Sequence, residues 1–306
     1  MSRPATTLFV SVAFLAGTLL AQDAIDPQDI TKMSFEEKRR VFQGGSGLTL
    51  RNPTKLLDVY VVGLKDADPT IRRQAAEGIA SLLPVFQQQK RAGGALAVDM
   101  DNLGTLKELL TVRLSDPDAQ VRGAAIHGLA YSDAPNPAAE AALLRQLSKE
   151  PNDQLKAAII DAMNSAGYDS NTFGQAVIGS VLNPSDYVRD AAAKAAAKIK
   201  PPGALPMLAE ALERYRQGTH FAVDAIASYG VEARAYLPQL EKLADDESIP
   251  GDLRDRARRA IEAIKNPQPA ANTEPKAKAV ALIDASPPQP ATNAPDLTAS
   301  PRQHPR

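Results

Sequence analysis

The chain has no cysteine and no tryptophan, and aromatic residues make up only 5% of its 306 residues. Without cysteine there are no disulfides, whatever the compartment, and no lipid-modified cysteine behind a leader. So few aromatics leave little from which to build one large core, whereas alanine-rich amphipathic helices suit interfaces between small side chains. An excess of one charge is lacking too. A formal net charge of −1 gives no global attraction to nucleic acid or to an acidic membrane surface. Histidine occurs only at 127, 220 and 304, and no window alternates apolar and polar residues as a strand does.

What is present is a repeat. The stretch 116–130, DPDAQVRGAAIHGLA, opens with Asp116 as a helix cap and Pro117 at the first helical position, where a missing N–H costs nothing. Val121, Ala125, Gly128 and Leu129 follow on one apolar stripe of mostly small residues, so another helix can approach closely. The same apolar-basic pair recurs as Ile71-Arg72, Val121-Arg122, Leu155-Lys156, Val188-Arg189 and Leu253-Arg254, with Phe221-Ala222 as a degenerate sixth. The apolar anchors are separated by 50, 34, 33, 33 and 32 residues. Such a period predicts stacked helical pairs, because one pair cannot bury its apolar face alone. The i+3, i+4 rhythm places first helices at 55–65, 103–114, 139–149, 173–182, 205–213 and 236–244. The expected class is all-α.

The unit x-D/N-P-x-x-x-V-R-x-x-A-x-x-A-L resembles the second helix of a HEAT repeat, in the short form shared with phycobilisome-lyase-type proteins. The resemblance covers residues 50–265, with D/N-P at Asp68-Pro69, Asp116-Pro117 and Asn183-Pro184 and a softened Glu150-Pro151. The fifth unit lacks that opening, and the sixth begins with Ser248-Ile249-Pro250. The resemblance implies an α-solenoid of about six HEAT-like helical hairpins with an N-terminal capping helix, and a binding surface in place of an activity. It also implies that Arg72, Arg122, Lys156, Arg189 and Arg254 each bridge to the loop carboxylate of an adjacent unit. Such a ladder orders the stack and binds no ligand.

Residues 1–21 read as a secretory signal, with Arg3 ahead of an apolar stretch at 8–20. That stretch is short of the roughly 20 residues a membrane span needs; an uncleaved anchor and a buried helix are the other readings. Residues 22–47 read as a cap and linker. Ser34 and Glu37 form a capping box, Phe35, Val41 and Phe42 supply apolar contacts, and Gly44, Gly45 and Gly47 end the helix. The repeat domain spans 48–265. Residues 266–306 are Pro/Ala-rich and read as a disordered tail, with 280–283 its one sticky stretch.

Catalytic chemistry finds little footing. His127 points away from the apolar stripe, with Gly123 and Tyr131 one turn to either side, so no second metal ligand adjoins it. Asp99-Met100-Asp101-Asn102 fails the calcium-loop spacing, because Leu103 and Leu110 stand where acids are required. Gly44-Gly45-Ser46-Gly47 is neither a nucleophile elbow nor a phosphate loop, since Leu48 and Leu50 stand where glycine is required. The expectation is no enzyme, no metal and no cofactor. The long first interval maps to 87–102, a tolerated insertion or a binding loop. Tyr215, His220, Phe221, Tyr229 and Tyr236 gather in the fifth unit, where packing is preferred over a partner patch. Arg254, Arg256, Arg258 and Arg259 spread over several faces of the last helix. The i, i+4 pairs Asp252–Arg256, Asp255–Arg259 and Arg258–Glu262 make it a salt-laced outer helix and not a nucleic-acid surface.

The surface remains. Positions two and six beyond each anchor are predicted to face outward, and they give the partner-binding candidates Arg73, Glu77, His127, Asp161, Asp190, Lys194, Val223, Asp255 and Arg259. Mixed signs, with an apolar spot at Val223 and Ala227, suit a protein or peptide partner better than a polyanion. The expected function is an exported, monomeric, non-enzymatic interaction scaffold, periplasmic or extracellular. It would bind no nucleic acid and keep no integral membrane segment after signal cleavage. The alternative that the resemblance implies is a bilin-lyase-type enzyme or enzyme subunit, against which the missing cysteine and the leader both speak.

Overall fold

The computed structural model describes the backbone of residues 27–43, 53–91, 100–131, 135–215 and 219–266, and the side chains of all these except 53–57, 83–91 and 100–103. The leader at 1–21, the glycine loop 44–47, residues 92–99 and the tail from 267 lie outside the described residues. Contacts divide the chain into Met1–Pro267 and Gln268–Arg306, and every described residue belongs to the first.

Among the described residues there are helices and no strand. Two short ones come first, α1 (Pro27–Ile30) and α2 (Phe35–Gln43). Six pairs follow: α3 (Pro53–Leu64) with α4 (Pro69–Arg91), α5 (Met100–Arg113) with α6 (Ala119–Tyr131), and α7 (Pro137–Lys149) with α8 (Asp153–Ala166). Then come α9 (Asn171–Ser180) with α10 (Asp186–Ile199), α11 (Ala204–Arg214) with α12 (His220–Ser228), and α13 (Leu237–Asp245) with α14 (Gly251–Lys265). A 3₁₀ helix, Gly230–Tyr236, leads into α13 at the point where the sequence predicts that helix to begin. The second members of the pairs pack in succession: α4 on α6, α6 on α8, α8 on α10, α10 on α12, and α12 on α14.

The period of the anchors is a period of burial. Four residues beyond each anchor, Ala75, Ala125, Ile159, Ala192, Ala225 and Ala257 are all fully buried. The anchors Ile71, Val121, Val188 and Leu253 are buried as well, while Leu155 and Phe221 are half-buried. In α6 the buried surface is wider than the predicted stripe and takes in Ala124, Ile126 and Ala130. The helix is enclosed by α4, α5, α7 and α8, and only Arg122, Gly123, Gln120 and His127 among its interior positions keep access to solvent.

Small residues set the spacing. A Cβ on Gly78 would stand 2.4 Å from the Tyr60 ring, and one on Gly63 would stand 2.4 Å from Phe42. At Gly128 it would meet Leu110 at 3.0 Å and Ala80 at 3.7 Å, which is where α4 and α6 come together. These rings and helices lie where glycine alone leaves room. Burial pushes the Tyr60 hydroxyl up to about 12.

At the N-terminal end α1 packs on α3 and α2 on α4. The Ser34 amide and hydroxyl both donate to Glu37 Oε2, at 2.8 and 2.6 Å, and the Glu37 amide reaches back to Ser34 Oγ, as a capping box requires. Phe42 is buried against Tyr60, with ring centroids 6.0 Å apart. Phe35, expected to make an apolar contact, is instead 43% exposed, because it heads the helix and its side chain lies beyond the packed face.

Two further expectations are corrected. Asp116 does not cap α6: the helix starts at Ala119, and Asp118 Oδ1 accepts the amides of Gln120 and Val121 at 2.8 and 3.0 Å. The 87–102 stretch is not all loop, since α4 continues to Arg91 and α5 begins at Met100. Asp101 and Asn102 are therefore helical, a conformation unlike that of a calcium loop.

Candidate functional site

The loops within the first four pairs share one geometry. In each of them, a residue five before the anchor turns its side-chain oxygen onto the amide two residues on. Asp66 accepts from Asp68 N at 2.9 Å, Asp116 from Asp118 N at 3.1 Å, Glu150 from Asn152 N at 3.1 Å, and Asn183 from Ser185 N at 2.9 Å. Three before the anchor stands the cap, with Asp68 accepting from Thr70 N and Asn152 from Leu155 N. Asp68-Pro69 is thus two residues out of register with Asp116-Pro117 and Asn183-Pro184, so the D/N-P opening does not mark one structural position. The acid-to-base spacing of six residues does, in Asp66-Arg72, Asp116-Arg122 and Glu150-Lys156.

The basic residues join these loops. Arg72 Nε and Nη2 fork onto the Asp116 carboxylate at 2.8 and 2.9 Å, while its Nη1 donates to the carbonyls of Asp66 and Ala67 in its own loop. Arg122 repeats this, forking onto Glu150 at 2.9 and 2.8 Å with Nη1 on the carbonyls of Asp116 and Pro117. Lys38 of α2 supplies an earlier rung, with Nζ 2.7 Å from Asp66. The carboxylates of Asp116 and Glu150 are shut off from solvent. Burial alone would raise both acids. Arg72, the Asp118 amide and Arg113 outweigh it at Asp116, and Arg122, Gln146 and the Asn152 amide outweigh it at Glu150, so both lie below the ordinary carboxylate range.

Beyond this point the rungs change. The loop acid position becomes neutral at Asn183, and Lys156 turns to Asp153 of its own helix at 2.9 Å. Arg189 keeps its bonds to the carbonyls of Asn183 and Pro184 but pairs with Asp186, and its guanidinium lies 3.8 Å above the Tyr215 ring. Arg254 Nε is buried without a hydrogen-bond partner among the described residues. The fifth-unit aromatics pack against the fourth: Lys194 sits 4.0 Å above Phe221, Lys200 5.6 Å above Tyr229, and Tyr215 Oη donates to Leu182 O at 2.9 Å. Cation–π contacts stand where carboxylates stood earlier.

The outward positions of the second helices fall into distinct groups. Arg73 and Glu77 of α4, paired at 3.0 Å, line a groove of about 510 Å³ between α4 and α6, together with Gln120 and the exposed His127. Its floor is Ala80, Ser81, Gly123 and Ala124. The His127 ring stacks on Tyr131, centroids 5.9 Å apart.

Farther along, the face is stitched to itself. Arg256 pairs with Asp224, His220 Nε2 lies 3.0 Å from Asp252, and Lys198 bonds the carbonyl of Asn164. Asp255 pairs with Arg258 at 3.0 Å, Lys194 covers Phe221, and Asp190 is half-buried, its carboxyl raised by burial. Asp161 and Arg259 are exposed. Val223 is a correction: its apolar side chain is fully buried in the core, and the neighbouring Asp224 stands exposed, paired with Arg256. The expected i, i+4 pairs of the last helix are corrected too, since its partners for Asp252 and Arg256 lie on α12. Sequence reasoning missed Lys38 and the loop position of Asp116, although the six-residue spacing to the next base carried the signal.

Among the described residues no three His, Cys, Asp or Glu side chains cluster as metal ligands, and no helix is long and apolar enough to cross a membrane. The class that these features define is an all-helical protein of successively packed helical pairs. No family model and no curated protein matches the chain.

Proposed function

We propose that the chain is an exported α-solenoid of six HEAT-like hairpins acting as a non-enzymatic protein-interaction module. The observation that carries this reading is the groove between α4 and α6, walled by residues two and six beyond successive anchors. The 32–34-residue spacing of the later anchors and the successive packing of second helices support the repeat assignment. The loop acids are occupied in holding neighbours together, which leaves recognition to the second-helix face. An open groove suits a segment of polypeptide better than a small molecule, which needs to be largely enclosed. Export rests on the leader at 1–21 alone.

The test is a photo-crosslinking amino acid placed at position 120 in the groove, or at position 108 on α5, in chains expressed in the source cell. The expected result is an adduct from position 120 and none from 108, on a chain recovered from the exported fraction with its leader removed. Adducts from both positions or from neither overturn the interaction reading, and an intact Met1 inside the cell overturns export. The bilin-lyase-type alternative predicts visible absorbance after incubation with a bilin, and the interaction reading predicts none.

A further inference from the structure

We infer that residues 280–287 take the place of a further loop beside the last helical pair, with Asp284 accepting the guanidinium fork of Arg254. This goes beyond the interaction reading and does not depend on it. An unfilled cation, a sequence match and a spacing argue for it.

The cation is Arg254. Of the repeated bases, Arg72, Arg122, Lys156 and Arg189 each hold a carboxylate, from Asp116, Glu150, Asp153 and Asp186 in turn. Among the described residues Arg254 holds none, and its Nε is shut off from solvent without an acceptor. The acids beside it in sequence are engaged elsewhere, Asp252 with His220 and Asp255 with Arg258. A buried donor left unsatisfied carries the full cost of its lost hydration, and a carboxylate on a guanidinium fork is among the stronger ways to relieve it.

The match is to the loops that fill such positions. Residues 62–69 read VGLKDADP around the loop acid Asp66, and residues 280–287 read VALIDASP, with V, L, D, A and P in the same places. The second loop, VRLSDPD at 112–118, shares the V, L and D. Each part has a use in the described loops. Leu64 and Leu114, two residues before the acid, are buried, and the acid accepts the amide two residues on, at Asp68 and Asp118. Ser286 stands at that place after Asp284, as Ser185 does after Asn183 in the fourth pair. The other acids beyond 266, Glu274 and Asp296, have Asn272 and Ala294 where the leucine stands. Pro288 and Pro290 then oppose another second helix, so the row would close at this loop.

The spacing agrees. Glu150 lies 28 positions after Arg122, and Asp284 lies 30 after Arg254. Helix α14 is about 22 Å long, and the stretch from 266 to 284 can span up to about 60 Å. That is enough to return from the end of α14 to Arg254 in its first turn.

Hydrogen exchange of the full chain tests this. Amides at 282–286 are expected to exchange roughly tenfold more slowly than those at 296–300. Asp284→Ala should abolish that difference and speed exchange in the first turn of α14, while leaving α4 unmoved. Asp284→Glu should preserve both, since Glu150 fills the same place in the third pair, and Asp296→Ala should change neither. Arg254→Gln should remove the protection at 282–286 with the helical dichroism intact. Unprotected amides at 282–286, an α14 indifferent to Asp284→Ala, or an equal effect of Asp296→Ala overturns the inference. Protection that grows with protein concentration overturns it too, because the segment would then come from a second copy.

Discussion

The guanidinium of Arg72 bonds to its own loop and to the next one at once, and its carboxylate partner Asp116 has no contact with water. Removing the acid leaves two arginines, 72 and 113, facing a buried gap, so Asp116→Ala should cost about 3 kcal/mol in urea unfolding. Arg73→Ala, which breaks the more exposed pair with Glu77, should cost less than about 1 kcal/mol in the same experiment. The sign of the pH effect follows. Asp116 and Glu150 titrate lower folded than unfolded, so the stability they add is complete above the ordinary carboxylate values near 4. It drains away as pH falls through the depressed folded values. Unfolding midpoints between pH 7 and 2 should show this acid limb, and Asp116→Asn with Glu150→Gln should flatten it. In the sequence Asp116 looks like a cap because it precedes proline. Its real role depends on a partner 44 positions away, which local spacing cannot reveal.

Glycine has opposite meanings in different helices. In α4, Gly78 lies against the Tyr60 ring, and Gly78→Ala should destabilise by about 1–3 kcal/mol through overpacking. In α5, Gly104 has nothing within 4 Å of where a Cβ would stand, so Gly104→Ala should stabilise by about 0.8–1 kcal/mol. Thermal melts of the two variants should move in opposite directions. The helices themselves were legible: each first helix appears within a few residues of its predicted span, because the i, i+3, i+4 pattern is local. The outward faces were legible only in part. Counting around an ideal helix puts Val223 in solvent, yet it is buried in the core while Asp224 beside it is exposed and pairs with Arg256 of α14, a partner that local spacing does not reveal. Likewise, the charges of α14 look paired within the helix, but its neighbour α12 supplies closer partners.

Across the packed pairs, the material joining neighbours changes from buried ion pairs at the N-terminal end to rings under cations farther along. The two ends should therefore respond differently to acid. Hydrogen exchange near pH 3 should show amides of α4 and α6 losing protection before those of α10 and α12; equal loss throughout would contradict this, as would the reverse order. The anchors announced which residues meet the next pair, whereas this change was not legible, since Asn183 differs from an acid by one group and Tyr215 lies outside the aligned columns. The double grip of Arg72 and Arg122 also fixes where such a chain can be cut and rejoined. An engineer who excises helices cap to cap would leave a fork without its carboxylate. Excision from one loop acid to the next would hand the cut arginine an equivalent acceptor, so modules of this protein begin at Asp66 and Asp116 and not at the helix starts that the eye picks out.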